Sequence, residues 1–356
     1  MTRIYFATNR DRSRKKNEYF GERFHDDGPQ FYRVGSAEVE KVSDDPDSGY
    51  KVRSVELFPE RQPNPETGRG GLAGSSALFN ELREQVKTDM RDVLVFIHGF
   101  ASTFVSSLER AAQLKDTYLI DPGDGAEPYA PHTVALSWPS NGRTVPPWEY
   151  HSDRDDAAMS GTAMARFFMR FWDFLNQQGA CDRRVHVVAH SMGNWALRHA
   201  ILGIRDLLAG KQSAGSGGGR LPKVFDTAFL MAADEDDDAL EKDHKLGLLT
   251  QLAREIHVYH NSEDRALTIS DVTKFNPDRL GSDGPRTFSG LTGRVTAIDC
   301  SRVAFTDLFH ARHQYYRVRP EVVADVRNVL SDRFKPDEVP DRVTVEPGRR
   351  FRIKKA

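Results

Sequence analysis

Cysteine is almost absent: Cys181 and Cys300 are the only two in 356 residues. They lie far apart, each beside an expected strand. Two small buried side chains are therefore expected rather than a disulfide, and nothing suggests a thiol nucleophile or a metal cluster. Long apolar runs are missing too. No segment reaches the roughly 18 residues of a membrane span, and "MTRIYFATNRDRSRKKNEYF" at the start lacks the continuous apolar stretch of a leader. The expectation is a soluble, unexported, cytoplasmic protein. Nor does one charge dominate, since 50 Lys+Arg against 52 Asp+Glu leave a net charge of -2. Nothing in that balance draws the chain to nucleic acid or an anionic surface, so the expected partner is a small molecule. No oligomeric state is read from the sequence.

From Asp92 onward, short β-branched runs alternate with amphipathic stretches of helical period, the pattern of βαβ units around a mostly parallel sheet. Candidate strands are "DVLVFIHG" (92–99), "HTVALSWP" (132–139), "RVHVVAH" (184–190), "VFDTAFLMAA" (224–233), "EIHVYHN" (255–261) and "GRVTAIDC" (293–300). Several are apolar throughout, as strands covered on both faces should be. Helices are expected over 106–118, 158–179, 192–210 and 319–334. Before Asp92, "RIYFATNR", "YRVGSAEVEKV" and "YKVRSVELF" read as antiparallel additions at one sheet edge. "GKQSAGSGGGRLP" (210–222) reads as a flexible loop, since no strand and helix frame it as a phosphate cradle. The expected organisation is one α/β domain over 1–336, with N-terminal strands in 1–60, and a charged tail (337–356) that is a small hairpin or partly disordered.

The stretch "VVAHSMGNWALRHA" (187–200) carries the chemistry. A strand ending in a tight turn, with serine at its tip and glycine two residues later, is the nucleophile-elbow arrangement, here with Ala189 replacing the first glycine of G-x-S-x-G. The neighbours at minus two and plus two must be small because strand and helix approach closely there. Ser191 is the candidate nucleophile and the Met192 amide one oxyanion donor; the bland reading is a serine that caps a helix. "VLVFIHGF" (93–100) ends at His98-Gly99-Phe100, where the Phe100 amide can serve as second donor and His98 as a support for the loop. An acid and a histidine must follow the serine. Asp264, in "NSEDRAL" after the strand "EIHVYHN", is the preferred acid, with Asp234 in "AADEDDD" its rival. His313, opening "HQYY", is the preferred base, with His310 its rival. Trp138 and Tyr150 are candidates to line an acyl pocket, or else ordinary core aromatics.

The chain resembles the α/β hydrolases, and within them the bacterial group known as domain of unknown function 900. The similarity rests on "YFATNR", "VLVFIHGFASTFVSSLERAAQL", "ALSWPSNG", "VVAHSMGNWALRHAI", "LMAADED", "YHNSEDRAL" and "HQYY", in that order. The resemblance implies an α/β-hydrolase fold with Ser191, Asp264 and His313 at the triad positions, and implies no substrate. It departs after the strand at 224–233, where relatives show proline and aspartate and this chain has "AADEDDD". The expected activity is cleavage of carboxylic esters through an acyl-enzyme, with no metal or organic cofactor required. The alternatives are a thioesterase, amidase or acyltransferase on the same residues, or a non-catalytic binding protein of hydrolase fold.

Overall fold

The computed structural model describes residues 1–15, 18–59, 61–63, 71–144, 148–176, 183–212, 221–264, 279–291, 294–304 and 312–355. Cys181, His310 and most of the 210–222 loop lie outside the described residues. Fifteen strands are described, β1 (Thr2–Thr8), β2 (Arg10–Arg12), β3 (Phe20–Phe24), β4 (Arg33–Lys41), β5 (Tyr50–Leu57), β6 (Arg61–Pro63), β7 (Gly71–Ala73), β8 (Val93–Ile97), β9 (His132–Ser137), β10 (Val185–His190), β11 (Phe225–Met231), β12 (Ala253–His260), β13 (Arg294–Asp299), β14 (Arg342–Glu346) and β15 (Arg350–Ile353). Eleven of them form one sheet in the order β14-β15-β13-β12-β11-β10-β8-β9-β1-β4-β5, while β2-β3 and β6-β7 are separate ribbons.

The sheet is parallel from β15 to β1 and antiparallel only at its two margins. The apolar runs explain themselves once the two faces are separated. Along β8, Val93, Val95 and Ile97 enter one core, and Leu94 and Phe96 enter the other. A strand buried on both faces cannot alternate with polar residues. The first core is covered by α1 (Gly74–Asp89), α4 (Gly161–Asn176) and α5 (Gly193–Gln212), and the second by α2 (Phe104–Thr117) and the helix Pro320–Leu330.

Two features differ from the sequence reading. β1 is not an edge addition: it pairs in parallel with β9 and antiparallel with β4, and its last five residues are buried. The helix expected over 158–179 is α4, and an additional helix, α3 (Trp148–Met159), precedes it and meets it at Ser160, whose hydroxyl donates to Asp156 O at 2.7 Å. The C-terminal tail holds the β14-β15 hairpin, which extends the sheet beyond β13. Cys300 is a buried free thiol, and among the described residues no helix is long and apolar enough to cross a membrane.

The chain runs from β8 to β9 on one side and then returns to β10 on the other side of β8. Such a reversal leaves a crevice beyond the carboxyl ends of the two strands, where parallel α/β sheets bind their ligands. The segments that enter this crevice are those after β8 and β10, "HGF" and "SMG".

Candidate active site

β10 ends at His190 and α5 begins at Gly193, so two residues make the turn. Ser191 sits at φ 52°, a left-handed conformation that costs a non-glycine residue about 1–3 kcal/mol and persists only where its surroundings impose it. Those surroundings are specific. Ser191 N donates to Met231 O at 2.9 Å, carrying the β10-β11 ladder one residue further. The buried Asn194 side chain donates to Ala189 O at 3.0 Å and to Ser191 O at 3.1 Å, tying the turn to the first helical residues. A Cβ at Gly193 would lie 2.6 Å from Ile97 O and 2.7 Å from His98 O, and one at Gly99 would lie 3.0 Å from Ser191 Cβ. Both glycines therefore let the loop after β8 press directly against the elbow.

His313 is brought here from the far end of the chain. Its Nδ1 donates to Asp264 Oδ2 at 2.7 Å, and the Asp264 side chain is fully enclosed. Four bonds fix the chain around it. His190 Nε2 donates to His313 O at 3.1 Å, Asn261 Nδ2 donates to Arg312 O at 2.8 Å, and Tyr315 OH accepts from Ala232 N at 3.0 Å while donating to Tyr259 O at 2.7 Å. The His190 ring packs 4.7 Å from that of His313 and stacks on Tyr316 at 4.5 Å. Burial holds His190 well below the usual imidazole range, so it is neutral. Burial pulls His313 down as well, but the Asp264 carboxylate outweighs it, with a further contribution from Asp234, and His313 titrates above the ordinary value.

Ser191 thus follows the residue whose ring lies against His313. No hydrogen bond joins Ser191 Oγ to His313 among the described residues. Neither Ser191 Oγ nor His313 Nε2 is among the buried polar atoms left without a partner, which include His190 Nδ1 and Asn194 Oδ1.

Of the two amides singled out in the sequence, Met192 N follows the serine directly and Phe100 N follows Gly99, which lies against Ser191. Among the described residues, neither the Phe100 nor the Met192 N–H donates to a protein acceptor, whereas Ala101 N is held by Asp153 Oδ2 at 3.3 Å and Ser102 N by Ser140 Oγ at 2.9 Å. His98 supports this loop from below. Its Nδ1 donates to Gly99 O at 2.9 Å, its Nε2 accepts from Trp138 N at 3.2 Å, and its ring stacks on Trp138 at 4.9 Å. Burial keeps His98 neutral. Trp138 is fully buried and belongs to this support, not to a pocket wall. Tyr150 lies edge-on to Phe100 at 5.7 Å.

Asp234 is engaged elsewhere. Its carboxylate accepts from Tyr150 OH and lies 3.4 Å from Arg279 Nη1 and 3.9 Å from Arg154 Nη1. Sequence reasoning missed Arg154, Arg279 and Asp153, because each is one charge among many in a polar stretch. It also assigned no role to Arg10, the last residue of "YFATNR".

The family described as alpha/beta hydrolase of unknown function (DUF900) matches residues 75–333. Among curated proteins, the uncharacterized protein alr1448 of Nostoc sp. (strain PCC 7120 / SAG 25.82 / UTEX 2576) is 23% identical over 232 residues, which cover 55% of this chain. The match spans 58% of that relative's length. No solved structure matches the chain. On the extent of the family match, with a large mostly parallel sheet beneath it, the chain belongs to the alpha/beta hydrolases of unknown function.

Proposed function

We propose that this protein is a serine hydrolase that cleaves small carboxylic esters through an acyl-enzyme, with Ser191 as nucleophile, His313 as base and Asp264 as its orienting carboxylate. The observation that carries this reading is the 2.7 Å bond from His313 Nδ1 to an enclosed carboxylate, beside a serine held at positive φ. A proton fixed on Nδ1 leaves the lone pair on Nε2, which is the nitrogen a base needs.

Ser191 Oγ attacks the ester carbonyl as His313 Nε2 takes its proton. The carbonyl oxygen becomes an oxyanion that the Phe100 and Met192 amides, at the positive end of α5, receive. Collapse breaks the bond to the leaving alcohol, which takes the proton from Nε2. Water then repeats the sequence on the acyl-enzyme and restores Ser191. The unspent Phe100 and Met192 donors and the bond that orients His313 support these roles. A hydroxyl and imidazole that are not bonded without substrate are ordinary, since such contacts often tighten only in the Michaelis complex.

The test uses short p-nitrophenyl esters with Ser191→Ala and His313→Ala, and His310→Ala as control. The first two variants are expected to lose turnover while keeping the wild-type circular dichroism spectrum, and the third to keep activity. Full activity in Ser191→Ala refutes the proposal. A parallel panel of thioesters and anilides separates ester cleavage from the other acyl transfers open to the same residues.

A further inference from the structure

The N-terminal "TNR" of "YFATNR" has no part in the chemistry above, yet it ends in a fully buried arginine. Arg10 lies outside the 75–333 span of the family match and directly beneath the loop that carries Phe100. Its guanidinium donates to Ser102 O at 2.8 Å, Ser140 O at 2.9 Å, Gly21 O at 2.9 Å and Ser137 Oγ at 3.1 Å. Three segments distant in sequence, around Gly21, Ser102 and Ser137 to Ser140, thus converge on one side chain. A buried guanidinium is costly unless its N–H groups are all matched. Here burial lowers its pKa, while Asp153 and Asp11 act in the opposite sense.

The loop it holds has a particular shape. Ala101 is at φ 54°. Asp153 takes the Ala101 amide and also accepts from Ser140 Oγ and, at 3.2 Å, from Asn141 N. Ser140 Oγ in turn takes the Ser102 amide. Two consecutive amides are therefore turned inward and spent on the Arg10, Ser140 and Asp153 cluster. The amide before them, Phe100 N, has no acceptor among the described residues and belongs to the segment pressed against Ser191. Arg110 Nη1 donates to Ser102 Oγ at 2.7 Å and closes the far side of the same loop.

We propose that Arg10 is a positioning residue: with Ser140 and Asp153 it locks the loop 99–102 so that the Phe100 amide faces the oxyanion. This rests on the hydrolase reading above. Arg10 touches no reacting atom in it. The role differs from general stability in what it predicts, because a misplaced donor lowers the rate at each folded site, whereas a loosened fold lowers the number of sites.

The experiment uses full-length Arg10→Ala, Arg10→Lys and Ser140→Ala with p-nitrophenyl butyrate, counting reactive Ser191 by stoichiometric fluorophosphonate labelling. Each variant is expected to lose about 10- to 100-fold in kcat per titrated site, a share of the effect of deleting one oxyanion donor, with KM little changed. Added guanidinium chloride should restore part of the kcat of Arg10→Ala, and urea at the same concentration should not. If Arg10→Ala does not fold, the other two variants carry the comparison. Fewer titratable sites with wild-type kcat at each, or a raised KM with kcat intact, overturns the assignment to Arg10 and leaves the hydrolase reading standing. A wild-type protein that neither turns over ester nor takes the phosphonate at Ser191 removes the reaction, and this role with it.

Discussion

Replacing Asp264 by asparagine exchanges one carboxylate oxygen for an amide, with little change in volume, at a group whose side chain is fully enclosed. The present bond is a 2.7 Å contact between an imidazole N–H and a carboxylate, in the range of the charge-assisted kind. An asparagine that turns its NH2 toward His313 forces Nδ1 to accept and moves the imidazole proton to Nε2, where it blocks deprotonation of Ser191. One that turns its oxygen keeps the bond and loses the charge that stabilises the imidazolium. By either route kcat is expected to fall about 10³- to 10⁴-fold, or roughly 4–5.5 kcal/mol of barrier at 1.36 kcal/mol per tenfold. The pH dependence supplies an independent readout. In the wild type, Asp264 holds His313 above its ordinary value against the opposing effect of burial. The rate should therefore rise through an acid limb above about pH 6.5, the ordinary imidazole value. Without the carboxylate, burial prevails and the limb moves to lower pH. The assay is kcat/KM for a p-nitrophenyl ester from pH 4 to 9, with circular dichroism as the check on folding. A variant with near wild-type kcat and an unmoved limb refutes the reasoning.

The other predictions concern how the elbow and the sheet margin are built. Gly193→Ala places a methyl group 2.6 Å from Ile97 O and 2.7 Å from His98 O, both rigid backbone atoms. It should lower stability by about 1–3 kcal/mol in urea unfolding and reduce turnover by shifting the Met192 amide; an unchanged midpoint would show that the close approach is not required. His190→Phe keeps the stack on Tyr316 but removes the donor to His313 O. It should reduce kcat more than it raises KM, and equal turnover would remove His190 from the support of the base. Asp325→Ala leaves the Arg342 guanidinium, now bonded to both Asp325 oxygens at 2.7 and 2.8 Å, enclosed without its partner. The expected cost is about 3–5 kcal/mol, as for other broken buried pairs, and a loss well below 1 kcal/mol would contradict it.

What the sequence discloses depends on whether the signal is contiguous. The elbow is legible because its requirements, a β-branched run, a small residue, a serine and a glycine, fall within seven consecutive positions. Chain order brings residues 264 and 313 forward as preferred acid and base, since each follows a strand of a parallel sheet and such strands present their ends on one side, but it does not separate them from Asp234 and His310. The inner position of β1 was not legible: an apolar strand does not say whether its neighbours run with it or against it, and the parallel partner, β9, lies about 130 residues away. The helix α3 escaped because it buries only Tyr150, Asp153 and Ala157 and leaves Trp148 exposed, so no apolar stripe marks it. Arg10 escaped for a related reason. Its four acceptors come from segments around residues 21, 102, 137 and 140, and no local pattern announces that they meet.

The central claim is that Ser191 is a nucleophile activated by the His313 and Asp264 pair, and mass spectrometry of the covalently trapped protein tests it most directly. After incubation with a fluorophosphonate, tandem spectra of the wild type should place a single phosphonyl group on Ser191, and the same reaction should be slowed in Asp264→Asn and absent in Ser191→Ala. A phosphonyl group on any other residue, or a wild-type protein that emerges unmodified, contradicts it.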